Sequence, residues 1–337
     1  GIKFYNCLAE PFKVYGVYYE EGKFRRMPEK IAKTVSEGVL ILHANTAGGR
    51  IRFKTNSSYI AISAKMPLFA RMSHFALTGS SGFDLYVKKD GRQLYANTYI
   101  PPYNTVDTYE GVINFGSKEM REITINMPTY SEVSELYIGL EESAILEKSP
   151  DYKHTKPIVY YGSSITQGGC VSRPGNTYEG VIERRFDTDY INLGFSGSAR
   201  GEDTIADYIK NLDMSVFVYD YDHNAPDVQH LMDTHYRLYE IIREKHPHIP
   251  YIMITKPDYF TNPKENFERR KVIFESYNKA IATGDKNVYF IDGESLFEGE
   301  FYESCTSDGC HPNDIGFYRM AKKIGAVIAE ALVDKKI

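Results

Sequence analysis

Two periodicities divide the chain. From residue 1 to about 150, polar and apolar side chains alternate in short runs. Arg50-Ile51-Arg52-Phe53-Lys54 is one, and Phe83-Asp84-Leu85-Tyr86-Val87-Lys88, which leads into the turn pair Asp90-Gly91, is another. Ile123, Ile125 and Met127 repeat the pattern, as do Leu136, Ile138 and Leu140. A period of two turns one face of each strand toward a core. Turn residues recur about every 8–12 positions and no long helical stripe intervenes, so residues 1–150 predict an antiparallel β-sandwich.

The polar stretch Ser149–Pro157, with its two prolines, reads as a linker. Beyond it, short apolar runs alternate with amphipathic segments of helix length. The runs are Ile158–Tyr161, Tyr190–Leu193, Val216–Tyr219, Tyr251–Ile254 and Val288–Ile291. Helices are predicted near 177–186, 202–211, 227–246, 264–284 and 313–332. This alternation predicts an α/β domain over 157–337, a parallel five-stranded sheet with helices on both faces.

Length supports the division, since 337 residues exceed what one core usually holds. Composition narrows the class. No apolar run reaches the 18 or so residues of a membrane span. The first residues, GIKFYNCLAE, lack a leader pattern, so a cytoplasmic protein is expected, although the leading glycine leaves a removed signal open. The net charge is −5 and the basic residues are scattered, which argues against a nucleic-acid partner. Arg269-Arg270-Lys271 reads as a solvated helix face, and His230, His235, His246 and His248 as helix-surface residues. The four cysteines, Cys7, Cys170, Cys305 and Cys310, form no CxxC pair and read as packing thiols. A Cys305–Cys310 bridge stays open for an oxidising compartment, and a homo-oligomer stays open as well. Tyrosine is abundant, with 28 copies and no tryptophan; such rings suit sugars, but most are expected in the core.

Ligands of open parallel sheets bind beyond the C-terminal strand ends. The residues that follow the runs are therefore informative. They are Gly162-Ser163-Ser164, Gly194-Phe195-Ser196-Gly197-Ser198, Asp220-Tyr221-Asp222-His223-Asn224 and, before the last helix, Asp308-Gly309-Cys310-His311-Pro312. A serine hydroxyl needs a base to become nucleophilic, and an imidazole oriented by a carboxylate is the usual one. Asp308 and His311, three apart in a glycine-containing turn, suit that pairing. A glycine N–H and an asparagine amide suit an oxyanion, and a helix N-terminus after the first strand would favour negative charge.

Together these four blocks resemble the SGNH/GDSL hydrolase superfamily. Ser163 stands where that family usually has aspartate. The family's Gly-x-Asn-Asp is here Asp222-His223-Asn224-Ala225. The resemblance implies Ser164 as nucleophile, Asp308 and His311 as the rest of a triad, and an oxyanion hole from Ser164 N–H, Gly197 N–H and the Asn224 amide. It also implies a flavodoxin-like strand order, no metal and no cofactor. Gly82-Phe83-Asp84-Leu85-Tyr86 resembles the GxDLY domain that precedes certain esterases of this type. Relatives of this architecture imply short-chain esters, often acetyl groups on carbohydrates, so a small-molecule or oligosaccharide ester is the expected partner. Transfer to a sugar or alcohol acceptor and silent carbohydrate binding are the rivals. Ser163 is the rival nucleophile. Ser196 and Ser198 read as loop residues, and His223, Asp84 and Tyr86 as structural. Asp220 and Asp222 read as loop-holding carboxylates rather than metal ligands.

Overall fold

The computed structural model describes residues 1–258 and 260–333. Strands in chain order are β1 (Ile2–Asn6), β2 (Lys13–Tyr15), β3 (Tyr18–Glu20), β4 (Lys23–Arg25), β5 (Arg50–Thr55), β6 (Tyr59–Lys65), β7 (Phe83–Lys89), β8 (Arg92–Tyr99), β9 (Thr108–Asn114), β10 (Arg121–Asn126), β11 (Glu135–Glu141), β12 (Leu146–Glu147), β13 (His154–Gly162), β14 (Thr188–Gly194), β15 (Val216–Asp220), β16 (Tyr251–Ile254) and β17 (Val288–Ile291). Helices are α1 (Glu29–Val35), α2 (Glu37–Leu42), α3 (Leu77–Ser80), α4 (Ser164–Gln167), α5 (Tyr178–Phe186), α6 (Asp203–Ile209), α7 (Val228–Lys245), α8 (Pro263–Ala282) and α9 (Asp314–Val333).

By packing, the chain forms two compact units, each assembled from several segments. The first holds Gly1–Met27, Ala44–Thr155 and Gly168–Asp189; the second holds Pro28–His43, Lys156–Gln167 and the chain from Tyr190 onward. Two segments therefore lie across the boundary read from the sequence. Residues 28–43, taken as part of the strand-rich half, form the helical pair α1–α2. Ser36 separates the two helices and accepts a hydrogen bond from Val39 N–H at 3.1 Å, as a helix-starting serine does. Helix α1 packs against α6 within the second unit.

The first unit contains two antiparallel sheets, ordered β1-β11-β6-β9 and β12-β5-β10-β7-β8, with β2 added on β5. Their inner faces share one apolar core, including Ile51, Phe53, Ile62, Leu85, Ile123, Ile125 and Ile138. On β5 the polar positions are buried as well as the apolar ones, Arg50 and Arg52 fully so. Arg52 lies over the Tyr152 ring at 4.1 Å and pairs with Glu122 at 2.8 Å, while Arg50 pairs with Asp189 at 2.5 Å. Asp84, on β7, accepts from Asn126 Nδ2 at 2.7 Å, Gly175 N–H at 2.9 Å and Arg173 Nη1 at 2.9 Å. Tyr86 also bonds Arg173. A Cβ on Gly175 would collide with both Tyr86 and Asp84. The GxDLY residues thus fasten segment 168–189 onto the sandwich, which explains why that segment belongs to the first unit.

The second unit is built on a parallel sheet ordered β14-β13-β15-β16-β17. In strand sequence this is 2-1-3-4-5, the flavodoxin-like order. Helix α7 packs on α6 and α8, and α9 packs on β17. Its central strands are buried on every residue, for example Val216–Asp220 and Tyr251–Ile254, as expected of a parallel sheet with covered faces. Among the described residues, no helix is long and apolar enough to cross a membrane.

Candidate active site

Register sets Gly162 of β13 beside Asp220 of β15, at the C-terminal ends of both strands. A Cβ on Gly162 would collide with Thr166 Oγ1 and the Asp220 carbonyl, and one on Gly194 with the Gln167 backbone. Glycine at these two places lets the chain leave β13 in a tight turn and start α4 at Ser164. That helix has only four residues, so its axial dipole is that of a single turn. Ser163 is fully buried, and its hydroxyl accepts from Ile165 N–H at 3.2 Å. It is used in the turn.

Ser164 is 8% exposed. Its Oγ lies 3.0 Å from His311 Nε2, and His311 Nδ1 lies 2.7 Å from Asp308 Oδ2. The second oxygen of Asp308 accepts from His311 N–H at 2.7 Å and Cys310 N–H at 3.0 Å. Burial disfavours the charged carboxylate, but these bonds to His311 and Cys310 outweigh it and pull the Asp308 pKa down to about 2. The turn before α9 is closed by Ser307 N–H on His311 O at 2.9 Å and Asn313 N–H on Cys305 O at 2.9 Å. Residues 147 apart in sequence thus meet at hydrogen-bond distance.

Gly197 sits in the loop after β14 with φ +69°, the left-handed conformation that favours glycine. The Ser198 N–H to Phe195 O bond of 2.9 Å closes its turn. Asn224 is half-buried in the loop after β15, and its Oδ1 accepts from Ala199 N–H at 3.2 Å. That bond commits the amide oxygen and leaves the amide nitrogen as the remaining donor.

Arg269 corrects the reading of its cluster as a solvated face. It is 2% exposed, its Nε bonds Asp222 Oδ1 at 2.8 Å, and its Nη2 bonds the Asp222 carbonyl and the Ala225 carbonyl, the latter at 2.9 Å. It therefore braces the loop that carries Asn224. The signal lay in the spacing, because Arg269 shares the buried face of α8 with Val272, Ile273, Ser276 and Ala280. His235 is a second correction. It lies on the buried face of α7 with Leu231, Leu238 and Ile242, and stacks on Tyr219 at 4.5 Å. Burial lowers its pKa to about 3. His246 Nε2 lies 2.9 Å from the Lys210 carbonyl.

Asp222 is held by Arg269 and by Lys256 N–H at 3.0 Å. Asp220 is buried beside His223 and Asp222, and burial raises its pKa to about 8. His223 and Asp258 form an ion pair at 2.9 Å. Among the described residues, no disulfide joins any of the four cysteines. A cavity of about 540 Å³ opens beyond β16 and β17, lined by Pro257, Phe260, Asp292, Phe297 and Tyr302, and none of Ser164, Asp308 or His311 lines it.

Comparison with known proteins adds the lineage. Residues 155–329 match the GDSL-like lipase/acylhydrolase family. The chain belongs to that family. Residues 2–146 match the GxDLY domain, the N-terminus of SGNH-hydrolase-type esterases. A Bacteroides ovatus protein assigned as a GDSL-like lipase is 30% identical over 98% of both chains, with a TM-score of 0.88. A salicylyl-acyltransferase of a tetracycline biosynthetic pathway shares the fold at 19% identity and TM-score 0.79, covering 98% of this chain and 97% of its own. A family two carbohydrate esterase from Clostridium thermocellum, solved with cellohexaose, shares it at 15% identity and TM-score 0.64, covering 98% of this chain and 99% of its own. No curated protein matches the chain. As a member of this family, the protein is a carboxylic ester hydrolase.

Proposed function

We propose that the protein hydrolyses short-chain acyl esters, acetyl first among them, carried on a carbohydrate. Ser164 is the nucleophile, His311 the general base and Asp308 the group that orients it. The observation that carries this reading is the unbroken relay from Ser164 Oγ to His311 at 3.0 Å and from His311 to Asp308 at 2.7 Å. With Nδ1–H held by the carboxylate, Nε2 faces the hydroxyl as an acceptor. His311 takes the serine proton as Oγ attacks the ester carbonyl. The oxyanion rests on Ser164 N–H, Gly197 N–H and Asn224 Nδ2. His311 then protonates the departing alcohol, and water activated by the same imidazole releases the acid. The preference for sugar esters is supported by the carbohydrate esterases that share the fold.

The test compares wild type with Ser164→Ala on p-nitrophenyl acetate and on a panel of acetylated oligosaccharides. Turnover should fall by about 10⁴-fold or more with the fold intact. Equal turnover in both proteins removes Ser164 from the mechanism. Product partitioning toward an added sugar or alcohol identifies a transferase instead. Sugar binding without turnover in either protein identifies a binding module.

A further inference from the structure

A second group of chemically active side chains adjoins the Ser164 relay without taking part in it. His223 precedes Asn224, and Cys310 precedes His311. His223 Nδ1 is 4.0 Å from Cys310 Sγ, and His223 Nε2 is 2.9 Å from Asp258 Oδ1. One donor atom from each of the three residues lies within 4.8 Å of the other two. The side chains of His223 and Asp258 are only 10% and 7% exposed. Nε2 of the first and Oδ1 of the second are buried and make no aligned hydrogen bond. They face each other at 2.9 Å as an ion pair. The other Asp258 oxygen is engaged by Thr261 Oγ1 at 3.1 Å.

A thiolate, an imidazole and a carboxylate are the donors that zinc accepts, commonly three from the protein with a fourth position open. Calcium and magnesium call for oxygen donors throughout. Ligand atoms around tetrahedral zinc stand roughly 3–4 Å apart, so shifts of about 1 Å or less would bring this set to bonding distance.

We propose that His223, Asp258 and Cys310 form a binding site for a soft divalent cation, Zn²⁺ or its analogue Cd²⁺, whose occupancy slows the esterase. Binding forms bonds from the metal to Cys310 Sγ, one His223 nitrogen and an Asp258 oxygen. It releases the thiol proton and the imidazole proton on the ligating nitrogen. Both flanking loops are then tied to the ion, and each carries a residue assigned above to catalysis. The inhibitory half therefore rests on the roles given to Asn224 and His311, whereas the binding half does not.

Titrating the full-length Ser164→Ala protein with Cd²⁺ tests binding apart from turnover. The readouts are calorimetry and the ultraviolet thiolate-to-cadmium charge-transfer band. One equivalent should bind with the band present. Cys310→Ala added to this background should abolish the band and weaken binding at least about tenfold. Asp258→Asn should weaken binding but keep the band. Absence of the band, or its survival in the Cys310→Ala protein, overturns the site. Zinc should inhibit wild-type esterase, and the Cys310→Ala enzyme, with each protein measured against its own metal-free turnover, should be at least about tenfold less sensitive. Equal inhibition of both overturns the regulatory half, because the ion would then act at Ser164 and His311 directly.

Discussion

Two imidazole–carboxylate pairs stand in the second unit, and their surroundings separate their roles. His311 and Asp308 meet at 2.7 Å with good hydrogen-bond alignment, in a partly exposed turn, and the other ring nitrogen meets a hydroxyl. His223 and Asp258 meet at 2.9 Å, buried and unaligned, and the other ring nitrogen lies near a thiol. In the first pair, backbone N–H groups fix the carboxylate, and the carboxylate in turn holds one side of the imidazole. In the second, burial makes the charges depend on each other. On the two proposals above, the same two residue types would serve proton transfer in one place and cation holding in the other, according to solvent access and to the third partner.

The largest effect expected from breaking this contrast is at Asp308. Replacing it with Asn removes the group that holds His311 Nδ1–H, and kcat should fall by about 10⁴-fold in a steady-state ester assay. A loss under tenfold would mean that Asp308 does not orient the base. Next comes Asn224→Ala, which removes one proposed oxyanion donor and should cost about 100- to 1,000-fold in kcat with little change in KM. The comparison predicts the opposite profile for Asp258→Asn. Leaving His223 buried without its counter-charge should cost about 3 kcal/mol of stability by denaturant titration, with kcat within about tenfold of wild type. A large kcat loss at full stability would draw the second pair into the chemistry.

The smallest effect concerns Asp220, which is buried beside His223, Asp222 and Thr166. Its pKa is raised to about 8 in the folded protein, against about 3.9 unfolded. The folded state thus binds the proton more tightly. That contribution is fully present below about pH 4 and is lost as pH rises to about 8. Asp220→Asn should therefore gain Tm relative to wild type across pH 4 to 8, with the gain level above that. A gap that does not change with pH would refute the assignment.

Legibility of the molecule followed local information. The five apolar runs after residue 157 predicted the parallel sheet because a strand buried on both faces announces itself within a few residues. Tyr251–Ile254 and Val288–Ile291 match the observed strands residue for residue. The helices α1 and α2 went unread because they are short, and their apolar residues have meaning only in packing, α1 against α2 and α6. Arg269 and His235 went unread because polar residue types outweighed a helical spacing that had already put them on buried faces.

By itself, the sequence determined the two classes of sheet, the strand-end position of Gly162-Ser163-Ser164 and the local Asp308–His311 turn. All of these are set by periodicity, turn chemistry or a separation of three residues. Tertiary structure decided that His311 meets Ser164 across 147 positions. It decided that the Ser163 hydroxyl is used in its turn, that segment 168–189 packs with the sandwich, and that Arg269 braces the Asn224 loop. It also gathered His223, Asp258 and Cys310 from three separate loops. Such contacts arise only when distant segments close into one fold, and no local pattern encodes the distance between groups that the folded backbone alone brings together.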